Sequence, residues 1–78
     1  MKKGEARQII KQMGLPAPQE KAAQRTIGRA TTSEEVDIVQ KSSGELVITR
    51  SRAGKIGIQV FEDTIKADGN KEVVRKAY

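Results

Sequence analysis

The feature that most constrains this chain is a change in the spacing of its apolar residues at Val36. Before that residue, apolar side chains recur at intervals of three and four, as along one side of a helix. From Val36 onward they alternate with polar residues, as along a strand with one buried side. A chain of 78 residues is enough for one domain. The sequence therefore predicts a single domain over residues 1–78, helical in residues 1–30 and a sheet in residues 36–78.

Two helices are predicted before the change in spacing. The first covers residues 4–13, and Gly14 and Pro16 end it in the order expected at a helix C-terminus. Pro18 suits the first turn of a second helix that runs to about Ala30. Each helix has a narrow apolar side, which we expect to cover one face of the sheet.

The second half of the chain is predicted to form four strands joined by short links that contain glycine. Links this short favour an antiparallel meander, in which neighbouring strands pair in chain order. The fold class is therefore α+β, with two N-terminal helices packed on one face of a four-stranded antiparallel meander sheet. The predicted strands are residues 36–40, 45–52, 55–64 and 72–78.

Turn chemistry predicts which strand residues face the core. If Gly54 is left-handed at the end of a three-residue loop, Ser51 lies opposite Lys55. A two-residue turn is the alternative, but it mixes Ile48 with Gln59 on one face, so we favour the first register. The core side of the sheet then carries Leu46, Ile48, Ile56, Ile58 and Val60.

The last strand is predicted to pair with the third so that Val74 lies opposite Asp63, which adds Val73 and Ala77 to the core side. The opposite face is then a polar, cationic surface with two aromatic rings, which could stack against bases. An antiparallel sheet can leave such a face in water. The predicted exposed face consists of Thr49, Ser51, Lys55, Gln59, Phe61, Lys76 and Tyr78.

Charge and composition narrow the class of function. The net charge is +5, and it arises in residues 1–30, where seven basic and two acidic residues include a ridge of Lys21, Arg25 and Arg29. Such asymmetry favours a polyanionic partner, with RNA the first expectation. The chain has no Cys and no His, which excludes thiolate zinc sites, Cys–His and Ser–His–Asp catalysis, and nucleases that need a His base. We therefore expect no metal and no cofactor.

Three segments, residues 44–50, 54–64 and 68–78, resemble the toxic C-terminal domains of bacterial polymorphic toxins of the contact-dependent inhibition and Rhs type. The predicted order of helices and strands is also similar to the barnase/EndoU/colicin/RelE-like ribonuclease fold. The resemblance covers roughly residues 31–78. It implies a metal-independent ribonuclease that acts on RNA such as tRNA. It also implies an acidic cognate immunity protein as partner, and we expect a monomer or heterodimer with a cytoplasmic site of action after secretion within a larger effector. No apolar run approaches the roughly 18 residues of a membrane span, so no membrane contact is expected.

The ribonuclease hypothesis places the site on the predicted exposed face, where Thr49 and Gln59 would orient the scissile group and Lys76 or Tyr78 would transfer protons. A basic turn that contains Arg50 and Lys55 would stabilise phosphate charge. The predicted catalytic residues are Arg50, Lys55, Lys76 and Tyr78. The predicted substrate-binding residues are Thr49, Ser51, Arg52 and Gln59.

Two other functions stay open at this point. The first is a non-catalytic nucleic-acid-binding module that uses the same surface. The second is a small protein-interaction domain, such as an antitoxin or inhibitor, whose basic face meets an acidic partner.

Overall fold

The computed structural model of the chain describes residues 1–55 and 57–77, with the side chain of Ala77 left out. It confirms the predicted α+β fold, in which two helices precede a four-stranded antiparallel sheet of order β1-β2-β3-β4. Ile56, predicted to lie in the core, and Tyr78, predicted to be catalytic, lie outside the described residues. The elements are α1 (Lys3–Gln12), α2 (Ala17–Gly28), β1 (Glu35–Gln40), β2 (Leu46–Gly54), β3 (Gly57–Ile65) and β4 (Lys71–Ala77).

The two helices begin and end where local chemistry favours it. After α1 the chain reverses through Gly14, whose φ of 67° is a conformation that glycine adopts without steric cost. Pro18 lies in the first turn of α2, where its missing N–H leaves no hydrogen bond unmade. No helix in the described part of the chain is both long enough and apolar enough to cross a membrane.

The core lies between the helices and one face of the sheet. α1 packs against β1, and α2 packs against β2 and β3. We call this side of the sheet the helix-covered face and the opposite side the helix-free face. The buried apolar residues of the core are Ala6, Ile10, Ala23, Ile27, Ala30, Val36, Leu46, Ile48 and Ile65.

The start of α2 is fixed to the turns at one end of the sheet. The buried Gln19 side chain donates from Nε2 to the carbonyl oxygens of Gly44 and Ile65, at 3.0 and 2.9 Å. Gly69 has a φ of 90°, and a Cβ at this position would lie 2.9 Å from the carbonyl oxygen of Pro18. The β3–β4 turn therefore needs glycine for two reasons, its backbone conformation and its close approach to α2.

The β2–β3 hairpin differs from the predicted register. Gly54 pairs with Gly57, so β2 and β3 are separated by two positions in the sequence, the first of which is Lys55. Gly57 has a φ of 135°, which residues other than glycine rarely adopt. The positive φ angle predicted for Gly54 is therefore found at Gly57. Both registers considered from the sequence are wrong, since Ser51 lies opposite Val60.

This difference turns β3 over relative to the prediction. Ser51 pairs with Val60, which is five positions after the predicted partner Lys55. Because side chains alternate between faces along a strand, a register shift by an odd number of residues moves every side chain of β3 to the other face. Ile58 and Val60, predicted to lie in the core, are therefore on the helix-free face, and Ile58 is 49% exposed. Gln59 and Phe61, predicted on the exposed face, lie instead on the helix-covered face.

The β3–β4 register also differs, by one position. Asp63 pairs with Val73 and not with the predicted partner Val74. The second odd shift compensates for the first, so Lys76 shares the helix-free face with Thr49, as predicted. Val73 lies on the helix-covered face, also as predicted, but it is 52% exposed because it lies on the edge strand.

Candidate functional site

Part of the helix-covered face extends beyond the helices, and a row of basic and aromatic side chains crosses it. Arg50, Phe61 and Arg75 are neighbours on three successive strands. The guanidinium carbons of Arg50 and Arg75 lie 5.0 and 5.3 Å from the centre of the Phe61 ring. Because these arginines come from the strands on either side of β3, they flank the ring from opposite sides. The ring thus attracts both cations and restricts their positions.

The next row toward the hairpin tip holds a third arginine. Arg52 is directly opposite Gln59, and its Nε and Nη2 donate to Gln59 Oε1 at 3.2 and 3.0 Å. The Arg52 side chain is exposed, and this forked contact orients its guanidinium group. We call this surface the arginine platform. Its residues are Arg50, Arg52, Gln59, Phe61, Lys71 and Arg75.

A buried carboxylate lies beside the arginine platform. Asp63 has no exposed surface, and its Oδ2 lies 3.9 Å from Arg50 Nη2 and 3.8 Å from Lys71 Nζ. These distances fit ion pairs and exceed those of hydrogen bonds. Lys71 Nζ also donates to Thr26 Oγ1 at 3.4 Å. Both carboxylate oxygens and Arg50 Nε lack a hydrogen-bond partner in the described part of the chain, so one negative charge holds two cations by ion pairing alone.

Charge is divided between the two faces of the described sheet. On the helix-covered face the strands carry more basic than acidic residues, and on the helix-free face the reverse is true. The helix-covered face has one acidic residue, Asp63, and four basic residues, Arg50, Arg52, Lys71 and Arg75. The helix-free face has one basic residue, Lys76, and four acidic residues, Glu35, Asp37, Glu62 and Glu72. The prediction of a cationic face away from the helices is therefore wrong.

The basic ridge of α2 adds to the positive side of the molecule. Lys21, Arg25 and Arg29 are exposed, as the helical spacing predicted. Arg29 is the C-cap residue of α2 and lies three residues after Thr26, which accepts the hydrogen bond from Lys71. The ridge therefore ends near the helix turn that contacts the arginine platform.

The structure divides the predicted site residues among separate places. Lys55 begins the loop at the hairpin tip, and Tyr78 lies outside the described residues. The arginine platform contains Arg50, Arg52 and Gln59. The helix-free face contains Thr49, Ser51 and Lys76. The prediction that these residues share one face is therefore wrong. The Phe61 ring, which was proposed to stack against a base, has an arginine on each side.

Three residues of the site were missed by the sequence analysis. In the sequence analysis, Asp63 serves only as the predicted strand partner of Val74, Lys71 lies just before the fourth strand and Arg75 has no role in the site. The signal that could have found them is the pairing of β3 with β4. Once Ile65 is placed in the core, the alternation along both strands puts Asp63, Lys71 and Arg75 on the core side of the sheet.

The arrangement is suited to holding an anion more clearly than to proton transfer. Arg52 and Arg75 are exposed and oriented, while the one carboxylate nearby is buried between cations. One surface depression lies at the start of α1 and another beside Ser51; Arg52 lines the second, and neither Arg50 nor Arg75 lines either of them. Among the described residues, no group of three or more His, Cys, Asp or Glu side chains could hold a metal ion.

No protein-family model, no curated protein and no solved structure matches the chain. The resemblance to polymorphic-toxin ribonucleases therefore stays a prediction from the sequence. The site must be interpreted from its own geometry.

Proposed function

We propose that this domain binds RNA through the arginine platform. The observation that carries the proposal is the division of charge between the faces of the sheet, which leaves Arg52 and Arg75 exposed on one face and four acidic residues on the other. Phosphate groups are attracted to the first surface and repelled by the second.

The arginines are suited to phosphate because their guanidinium groups are already oriented. A guanidinium presents a planar fork of N–H donors that matches two phosphate oxygens. Arg75 is stacked on Phe61, and Arg52 is held by Gln59, so little side-chain freedom is lost on binding. The Nε2 group of Gln59 adds donors that can contact a base edge or a ribose hydroxyl.

A single-stranded segment fits this surface better than a duplex. The platform lies on a sheet, and single strands can lie along a sheet with their bases turned outward. The ridge of Lys21, Arg25 and Arg29 would attract the flanking phosphates without sequence preference.

Cleavage of the bound RNA is a narrower proposal. It would make the chain a metal-independent ribonuclease toxin domain of the polymorphic-toxin family, inhibited by an acidic immunity protein that covers the same platform. Of the two residues proposed to stabilise phosphate charge, Arg50 is buried against Asp63 and Lys55 lies at the hairpin tip. Lys76 is on the other face, so the predicted catalytic set does not converge, and we take binding as the better supported function.

Matched variants on β4 test the binding proposal. Arg75 and Lys76 are adjacent and exposed, and they lie on opposite faces of the sheet. Arg75→Gln and Lys76→Gln remove the same charge, so only the face differs. In fluorescence anisotropy with a labelled single-stranded RNA, we expect Arg75→Gln to weaken binding several-fold and to lower the slope of log K against log salt by about 0.7. Lys76→Gln should change neither by a comparable amount, and equal losses in both variants would contradict a face-specific site.

The narrower proposal needs its own assay. Incubation of the chain with total tRNA in EDTA should yield discrete fragments if it is a ribonuclease. Intact tRNA, together with salt-dependent binding, would contradict cleavage and leave RNA binding as the function.

A further inference from the structure

The two edges of the sheet differ in how much of their backbone is already paired. At the β1 edge, Val36 N donates to the carbonyl of Met1 at 2.7 Å, and Met1 N donates to Val36 O at 3.0 Å. β4 is the other outermost strand of the described sheet and pairs on its inner side with β3. Its outer N–H and C=O groups can accept a further strand.

The middle of β4 is apolar on both faces. Val73 and Val74 are 52% and 48% exposed, and they belong to opposite faces of the sheet. Charged residues flank them in the order Lys71, Glu72, Arg75 and Lys76. Charges on an edge strand normally prevent pairing with other chains, unless the pattern of the partner is complementary.

The pattern of β4 is complementary to itself in one antiparallel register. Centring the pair on Val74 sets Val74 against its own copy. In this register Glu72 lies opposite Lys76 of the second copy, and this pair occurs twice because the contact is two-fold symmetric. Each Val73 lies opposite an Arg75, whose guanidinium is drawn toward Phe61 and away from the edge.

The neighbouring register is unfavourable. Centring the pair on Val73 places Glu72 against Val74 and sets Lys71 opposite Arg75. Like charges directly opposite one another destabilise a strand pair, so the two registers differ clearly in energy.

We propose that β4 pairs with β4 of a second copy of this chain, centred on Val74, to form a two-fold symmetric dimer with a continuous eight-stranded sheet. The two-fold axis stands perpendicular to the sheet, so both arginine platforms lie on the same side. The contact involves one strand from each copy and is therefore small, which makes the dimer weak and dependent on concentration. This differs from the monomer or heterodimer expected from the sequence, and it does not depend on RNA binding.

A charge exchange tests the proposed register. Sedimentation equilibrium of the full chain from micromolar to millimolar concentration should show reversible association toward twice the monomer mass. Glu72→Lys and Lys76→Glu should each raise the dimer dissociation constant about tenfold, because both symmetric pairs become repulsive. The double variant restores opposite charges and should return to within a few-fold of the parent chain.

Lys76 also forms an exposed pair with Glu62 at 3.9 Å, so thermal unfolding of each variant separates changes in stability from changes in association. A monomer over the whole concentration range would overturn the proposal. So would a dimer whose dissociation constant is as high in the double variant as in the single ones. Arg75→Gln in the RNA assay is measured at low protein concentration, where the dimer is dissociated, so either proposal can fail without the other.

Discussion

The two faces of the sheet carry opposite net charge, although the strands contribute similar types of residue to both faces. Adjacent residues such as Glu62 and Asp63, or Arg75 and Lys76, look interchangeable in the sequence. In the structure, Asp63 is buried between two cations and Glu62 is partly exposed. The guanidinium group of Arg75 lies over the Phe61 ring, while Lys76 forms an ion pair with Glu62 on the other face. The register of the strands, and not the composition, therefore determines which basic side chains share one face of the sheet.

The largest effect on stability is expected from the buried carboxylate. Asp63→Ala leaves Arg50 and Lys71 without their counter-charge, and breaking a buried ion pair from one side costs about 3–5 kcal/mol. Glu62→Ala removes an exposed carboxylate from the next position and should cost about 1 kcal/mol or less. Urea unfolding measures both.

A domain this small has a low total stability, so Asp63→Ala could be largely unfolded. Asp63→Asn keeps the shape of the side chain and provides a folded comparison. Equal losses in Asp63→Asn and Glu62→Gln would show that the two faces do not differ in the way described.

A smaller difference is expected between two valines of β1. Val36 is buried on the helix-covered face, and Val39 is exposed on the helix-free face. Val36→Ala should lower the free energy of unfolding by about 2 kcal/mol, since it removes two buried methyl groups and leaves a cavity. Val39→Ala should change it by about 0.5 kcal/mol or less. A large effect at Val39 in denaturant unfolding would mean that the helix-free face is covered in solution.

The smallest effect concerns pH and the N-terminal end of the helix-free face. Hydrogen bonds from Lys2 Nζ and from the Met1 amino group lower the pKa of Glu35 below its ordinary 4.5. The hydrogen bond to Glu35 raises the pKa of the Met1 amino group above 8.0. A lowered carboxyl pKa stabilises the fold above pH 4.5 and loses this effect as the pH falls through the folded value. A raised amino pKa stabilises it below pH 8.0 and loses this effect as the pH rises.

Because Glu35 is exposed and its ion pairs are screened by solvent, we expect only a shallow decline of stability at each end of the range. Glu35→Gln should flatten both ends relative to the parent chain in thermal unfolding across pH. An unchanged profile in that variant would show that this exposed cluster contributes nothing measurable.

The sequence was sufficient for the fold because strong local signals agree with one another. Gly14 ends the first helix region, Pro18 opens the second, and the alternation after Val36 gives strands in the observed order. Short links containing glycine then leave the meander as the simplest arrangement. These signals act within a few residues, so they can be read without knowledge of tertiary contacts.

Which side of β3 faces the helices could not be predicted, because the strand begins in a part of the hairpin that the helices do not cover. The aliphatic residues Ile58 and Val60 suggested a core side, but the part of the hairpin that carries them extends beyond the helices. In that part neither face is buried by a helix, so the alternation of apolar and polar residues does not indicate which side faces the core. The side that does face the helices carries Asp63, a residue that sequence reasoning places outside a core.

The central claim, that RNA lies on the arginine platform and not on the helix-free face, is tested most directly by NMR. Val73 and Val74 are adjacent, about equally exposed, and on opposite faces. Titration with single-stranded RNA at low protein concentration should shift the methyl signals of Val73, the ring signals of Phe61 and the Nε–H signals of Arg75. It should leave the methyls of Val74 and Thr49 nearly unchanged. Larger shifts at Val74 and Thr49 than at Val73 and Arg75 would contradict the account.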